Sequence, residues 1–184
     1  RLMKNKSYSG DSIITINQGT RVAYYWLKEK RRDDFWDEHW STNFQDVDKF
    51  YAPYLRGYLG MGQLRRILLK YLPRRGRILE GGCGMSQYVL ALRARGYDCF
   101  GVDFAEQTVQ SVKSRFPDLP VSKGNIINLE LDGEGLDAYI SLGIVEHFQE
   151  GPQKAISEAY RVLKKNGVFL VSVPHSFPWR QDSV

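Results

Sequence analysis

The sequence predicts an α/β fold, a three-layer sandwich in which helices cover both faces of a mostly parallel sheet. Three observations predict it. From Arg77 onward, short apolar runs alternate with helix-length amphipathic stretches, the pattern of strands joined by helical crossovers. The first strand passes straight into a glycine cluster, Gly81-Gly82-Cys83-Gly84, and a helical pattern follows. That order suits a nucleotide-binding crossover, because glycine lets backbone approach a ligand and a helix start offers free N–H donors. Finally, the second strand ends in an acid, Asp103, nineteen positions after Gly84.

Taken in order, residues 1 to 20 are polar, with one β-like run at Ile13 to Ile16 that fits a flexible arm or an edge strand. From Arg21 to about Trp40 the residues favour helix and are dense in aromatics, Trp36 and Trp40 among them. A second amphipathic segment places Val47, Phe50, Tyr51, Tyr54, Leu55 and Tyr58 at spacings of three and four, so one face is apolar. Pro53 limits how far it continues as one straight helix. Gln63 to Leu72 reads as a helix stopped by Pro73, and Arg74-Arg75-Gly76 turns the chain into the first strand. Strand Arg77–Glu80, helix Gln87–Arg95, strand Cys99–Asp103 and helix Glu106–Arg115 follow, then a short strand around Val121–Lys123. Strand Ala138–Leu142 leads through Gly143 to a helical Glu146–Phe148 and a helix Ala155–Leu163. Asn166-Gly167 then turns the chain into strand Val168–Val173.

Bulk properties exclude several classes. At 184 residues there is room for one domain with a real core plus an accessory segment. No apolar run approaches the ~20 residues of a membrane-spanning helix, and the N-terminus lacks the layout of a secretion signal. Cys83 and Cys99 have no metal-ligand spacing, which predicts no metal site and a reduced, cytoplasmic setting. The net charge is +5, with basic clusters at Lys28 to Arg32 and Arg74 to Arg77, and acids at Asp33, Asp34, Asp37 and Glu38 offset the first of them. The charge therefore does not require a nucleic-acid partner.

In a parallel sheet, ligands bind outside the carboxyl ends of the strands. Those ends offer Glu80 with the glycine cluster, then Asp103, whose carboxylate can accept both hydrogen bonds of a ribose diol. Gly124-Asn125-Ile126 follows the third strand, where an amide side chain and a backbone N–H can read an adenine edge. Ser141-Leu142-Gly143 ends the fourth. A dinucleotide fingerprint fits less well, because Met85, Ser86 and Gln87 follow Gly84, and no Gly-Lys-Ser/Thr of a P-loop is present.

These residues resemble the class I S-adenosylmethionine-dependent methyltransferases, with their Rossmann-like domain, over Gln63 to about Pro174. The likeness is carried by Arg77-Ile-Leu-Glu-Gly-Gly-Cys-Gly, Gly101-Val-Asp-Phe, Gly124-Asn-Ile, Leu136 to Phe148 and Tyr160 to Pro174. It is nearest to the small-molecule, methyltransferase type 11-like branch that includes quinone-biosynthesis enzymes. Two departures stand out: Ser86 replaces a frequent third glycine, and Asn125 replaces the commoner acid. Family sheets usually have seven strands, and the ten residues after Pro174 are too few for a helix and two more, so the expectation is either a truncated chain or an incomplete sheet.

The resemblance implies S-adenosyl-L-methionine as cofactor. Glu80 orients its methionine end and the Gly81, Gly82, Cys83 and Gly84 backbone runs beneath it. Asp103 holds the ribose, Phe104 packs near the adenine, Asn125 and Ile126 read its edge, and Ser141 and Leu142 line the methionine side. His147 is the candidate base near a strand end, against the alternative of a pocket wall. Residues 1–62 form an arm and an aromatic cap, and 63–184 the cofactor-binding domain. Within the cap, Trp36, Trp40 and Tyr51 either pack on the domain or form a lid over substrate. No base-clamping Pro-Pro-Tyr/Phe motif and no Pro-Cys nucleophile occurs. The expectation is a small-molecule or lipid-like acceptor. An RNA or protein methyltransferase, or a non-catalytic cofactor-binding subunit, is the alternative, and the sequence does not address oligomeric state.

Overall fold

The computed structural model describes residues 36–40, 46–148 and 150–173, all within one compact unit, Arg32–Val173. The β-like run at Ile13–Ile16 and most of the expected helix from Arg21 to Trp40 lie outside the described residues.

Among the described residues five strands form the sheet: β1 (Arg77–Gly81), β2 (Asp98–Asp103), β3 (Val121–Lys123), β4 (Leu136–Leu142) and β5 (Leu163–Ser172). Their order is β3-β2-β1-β4-β5, and every pairing is parallel. The order reverses between β1 and β4, which opens a crevice at their carboxyl ends. The helices are α1 (36–40), α2 (Val47–Tyr51), α3 (Gln63–Tyr71), α4 (Gln87–Ala94), α5 (Glu106–Arg115) and α6 (Gln153–Val162).

Local chemistry explains the breaks. After α2 the chain passes Pro53 into a short 3-10 turn, Tyr54–Arg56, and leaves it at Gly57 with φ 78°, a conformation that favours glycine. Helix α3 ends at Leu72, which is extended at ψ 131° because Pro73 disfavours a helical residue before it. The segment expected as helical Glu146–Phe148 is a 3-10 turn, Val145–His147.

Two apolar layers hold the sheet. On one face Ile78, Ala138 and Ile140 pack with Leu68, Leu72, Val89, Leu92 and Val112. On the other, Leu79, Val102 and Tyr139 pack with Ala159 and Val162 of α6. Ile78 and Leu79 are both fully buried, and each such side chain contributes about 1.5–3 kcal/mol. Strand alternation therefore puts Glu80 on the same face as Ile78, beneath α4.

One expectation is corrected. Helix α6 ends at Val162 and β5 begins at once with Leu163, rather than at Val168 after a turn. Leu136 pairs with Leu163, and the next pair is Ala138 with Val168. The expected Asn166-Gly167 turn exists, with Asn166 at φ 66°, but as an excursion inside the strand. Asp137 secures it, accepting from Lys164 Nζ at 2.8 and 2.9 Å and from the Arg77 N–H at 2.8 Å. Propensity could place the turn but not the pairing that resumes on both sides of it.

Candidate functional site

The glycine loop hangs from the end of β2. Gly82 and Cys83 donate their N–H groups to Val102 O at 2.8 and 3.1 Å, and Gly84 donates to Asp103 Oδ2 at 2.7 Å. Asp103 Oδ1 accepts from the Ala105 N–H at 3.0 Å. Burial raises the Asp103 carboxyl above the usual aspartate range, opposed by the N–H donors of Ala105, Gly84 and Phe104. Gly82 has φ 75°, and a Cβ there would lie 2.6 Å from Ile144 Cγ1. Only glycine lets this loop meet the segment after β4. Ser86 also has a positive φ, 60°. This accounts for the family's taste for glycine there, since a non-glycine residue in that region costs about 1–2 kcal/mol. Its hydroxyl donates to Cys83 Sγ at 3.3 Å.

Both helices flanking the loop begin without a cap of their own. Ser86, in its left-handed conformation, makes no side-chain cap to α4. Glu80 supplies one instead, its Oε2 accepting from the Val89 N–H at 3.1 Å. At α5 the cap residue is Ala105, which has no side-chain acceptor. Asp37 of α1 takes over, accepting from the N–H groups of Gln107 at 3.3 Å and Thr108 at 2.8 Å and from the Thr108 hydroxyl at 2.7 Å. Caps of this kind contribute about 1 kcal/mol each. Glu80 is 3% exposed. Burial pushes its carboxyl up to about 8, with Val89 opposing and the nearby Asp103 reinforcing the rise.

Helix α1 thereby crosses the carboxyl ends of the strands. Asp37 fastens it to α5, Trp40 lies against Gly84, where a Cβ would come within 2.6 Å of its ring, and the Trp36 ring stands edge-on 4.9 Å from His147. Asp37 was not among the expected site residues; an acid inside an aromatic segment carries no signal of a distant helix it might cap.

The remaining expected residues fall as follows. Cys83 is buried with its sulfur turned toward Gly101, and burial, with Asp103 and Glu80 adding, raises its thiol far above the ordinary value. It is therefore inert, and only its backbone belongs to the loop. Phe104 directly follows Asp103, half-buried. Asn125 is exposed, and its Oδ1 accepts from the Ile127 N–H at 3.1 Å, with the amide nitrogen as its remaining donor group. The Ile126 side chain is buried with Val145 and Ala155, so only its backbone can face a ligand. Ser141 is 1% exposed, and its Oγ has no hydrogen-bond partner among the described residues; Leu142 is half-buried beside it. His147 lies half-exposed with Nε2 4.0 Å from Glu146 Oε1. Tyr51 follows the packing alternative rather than the lid. It is fully buried, and its hydroxyl donates to Met85 O at 2.9 Å, so it props the loop from beneath.

A separate groove lined by Arg77, Leu129, Leu131 and Arg161 sits where β1 and β4 begin, the wrong end of a parallel sheet for this chemistry. Among the described residues no group of three His, Cys, Asp or Glu side chains could hold a metal.

Comparison with known proteins agrees with this geometry. Residues 79–171 match the family model described as a methyltransferase domain. A protein of Mycolicibacterium smegmatis, named as a probable S-adenosylmethionine-dependent methyltransferase, is 34% identical over 98 residues, covering 53% of this chain and 38% of the relative. A ubiquinone/menaquinone biosynthesis C-methyltransferase of Campylobacter jejuni is 29% identical over 115 residues, covering 58% of this chain and 48% of the relative. The matches thus span less than half the length of these relatives. In fold, a Methanococcus maripaludis protein assigned as an S-adenosylmethionine-dependent methyltransferase superposes with a TM-score of 0.61 at 19% identity, covering 85% of this chain and 71% of that one. A glycine loop slung from β2 at the switch point of a 3-2-1-4-5 parallel sheet, together with a family match across β1 to β5, leads to one conclusion: the chain belongs to the class I S-adenosylmethionine-dependent methyltransferase family.

Proposed function

We propose that this domain transfers the methyl group of S-adenosylmethionine to a small or lipid-like acceptor. The observation that carries the reading is the setting of α1. An aromatic helix, Trp36 to Trp40, spans from the glycine loop to His147 over a strand end that is small and neutral, Ser141-Leu142-Gly143. The relative named for quinone biosynthesis supports the same acceptor class.

The residues present fit the cofactor. Gly82 and Gly84 bring bare backbone to the crevice at φ 75° and 48°, Asp103 offers a fixed carboxylate, and Ser141 Oγ, at the switch point, has no hydrogen-bond partner among the described residues. In this reading Asp103 holds the ribose, Phe104 flanks the adenine, and Asn125 with the Ile126 backbone reads its edge. Glu80 and Asp103 form a buried acidic floor suited to a cationic ligand. Bound S-adenosylmethionine supplies a methyl carbon already activated by its sulfonium, so the protein chiefly positions the acceptor and excludes water. Trp36 and Trp40 do the excluding, and Trp40 withdraws from Gly84 as cofactor enters. His147 takes the proton of an acceptor hydroxyl, with Glu146 steadying the imidazolium.

S-adenosylhomocysteine at 100 times its Kd is expected to stabilise the chain by about 2.7 kcal/mol, read as a raised melting temperature. It is also expected to slow proteolysis around α1. An unchanged melting temperature at millimolar ligand overturns the cofactor assignment, and unchanged cleavage overturns the lid. For the acceptor, the chain is incubated with methyl-tritiated S-adenosylmethionine and a total cell extract. Label is expected in the organic phase, and His147→Asn is expected to cut its transfer by about 10²–10⁴ while binding S-adenosylhomocysteine normally. Label in RNA or protein would replace the proposed acceptor class.

A further inference from the structure

Charge is unevenly spread along this chain. Between Asp48 and Glu80 there are eight Lys and Arg residues and no acid, while the whole chain is only +5. Everything outside that stretch is therefore net negative. The basic residues are concentrated on α3 and the turn after it: Arg65, Arg66, Lys70, Arg74 and Arg75 are all exposed. None of these five is held in an ion pair among the described residues. Among the described residues no acid neutralises them.

Large apolar side chains stand among these charges. Met61 is 84% exposed, Tyr71 49% and Ile67 39%. Met61 projects from a Gly60-Met61-Gly62 tip whose two glycines have φ 81° and 78° and nothing within 4 Å of where a Cβ would be. On α3, Leu68 turns inward and is fully buried. Helical spacing sets Ile67 and Tyr71 in one outward row and Arg66 and Lys70 in the row beside it. The Lys70 ammonium lies 4.9 Å from the centre of the Tyr71 ring.

We infer that this segment is a peripheral docking surface for an anionic lipid bilayer. The cations lie at the headgroup level, and Met61, Ile67 and Tyr71 enter the acyl boundary. Charge complementarity identifies the occupant. A run of cations attracts an anionic leaflet by roughly 1 kcal/mol per Lys or Arg near its surface. The exposed aliphatic side chains separate a bilayer from a nucleic acid, which would reward stacking aromatics rather than a protruding Met and Ile. The proposed contact is peripheral in kind, made by side chains of α3 and the Gly60–Gly62 tip, and no described helix is long and apolar enough to cross a membrane. The surface uses none of the residues of the candidate site, so it stands whether or not the acceptor is lipid-like.

Co-sedimentation of the full chain tests it, with vesicles of phosphatidylcholine alone and of phosphatidylcholine with phosphatidylserine. Binding is expected only to the anionic vesicles and is expected to weaken as salt rises. Arg65→Gln, Arg66→Gln and Lys70→Gln each lower the partition roughly fivefold, and Met61→Ser lowers it about tenfold. All four positions are exposed, and the unchanged circular dichroism and S-adenosylhomocysteine melting shift of the variants keep this test apart from the cofactor reading. Failure to bind anionic vesicles, or equal binding to neutral ones, overturns the inference. So does Met61→Ser binding like the parent while a structured RNA displaces both, which would assign the surface to nucleic acid.

Discussion

Asp103→Ala is expected to lower the affinity for S-adenosylhomocysteine by about a hundredfold or more. Two hydrogen bonds from a ribose diol to a carboxylate are worth about 1.5–3 kcal/mol each, and every ~1.4 kcal/mol is a factor of ten. The structure adds a second loss. Asp103 also accepts from the N–H groups of Gly84 and Ala105, so alanine leaves both donors without an acceptor and frees the loop that must lie beneath the ligand. The apo variant is therefore expected to melt lower as well. Asp103→Asn is not a mild replacement, since one of its two positions then presents an amide donor to an N–H donor. Calorimetric titration of both variants is the check. An alanine variant within threefold of the parent affinity would mean that the ribose is held elsewhere.

The second large effect is a dependence of stability on pH set by Glu80. Its carboxyl is pushed up to about 8 in the fold from an ordinary 4.5. Between those values the native state holds a proton that the unfolded state has released, so stability is full below about pH 4.5 and is lost as pH rises toward 8. The loss is on the order of a few kcal/mol at most. Asp103, also raised, acts in the same direction. Glu80→Gln keeps an oxygen for the Val89 N–H and removes the titration, so the difference in melting temperature between parent and variant is expected to shift steadily in the variant's favour from pH 5 to pH 8. A difference independent of pH would mean that Glu80 titrates normally. A cationic cofactor above this floor favours the carboxylate, so binding near pH 7 is expected to release a proton, visible as a buffer-dependent enthalpy.

Much of this architecture is legible in the residues. The alternation of apolar runs marks all five described strands, though not where β5 begins, and an acid at the end of β2 with glycines at the end of β1 marks the candidate site, because those features depend on local backbone chemistry. What stays hidden is whatever joins distant parts of the chain. Ser86 and Ala105 look like poor helix starts until Glu80 and Asp37 are seen to serve them from elsewhere. Asn125 reads as a free amide, yet its carbonyl is spent on Ile127 two residues on. Tyr51 belongs to an aromatic stripe that suits a lid equally well, and only its bond to Met85 places it under the loop. At β5, Asn166-Gly167 announces a turn, and nothing local shows that Leu163 has already joined the sheet.

The bonds that Gly82, Cys83 and Gly84 make to Val102 and Asp103 have a consequence for how the molecule comes together. The loop cannot take shape by itself, since its acceptors lie about twenty positions ahead on another strand. It is a product of the pairing of β1 with β2 rather than a seed for it, and closing that long a span carries an entropic cost that local helix formation does not. During folding the glycine loop therefore becomes ordered only once the strands have found their register. A chain that misaligns them forfeits the proposed ligand site before it forfeits its helices.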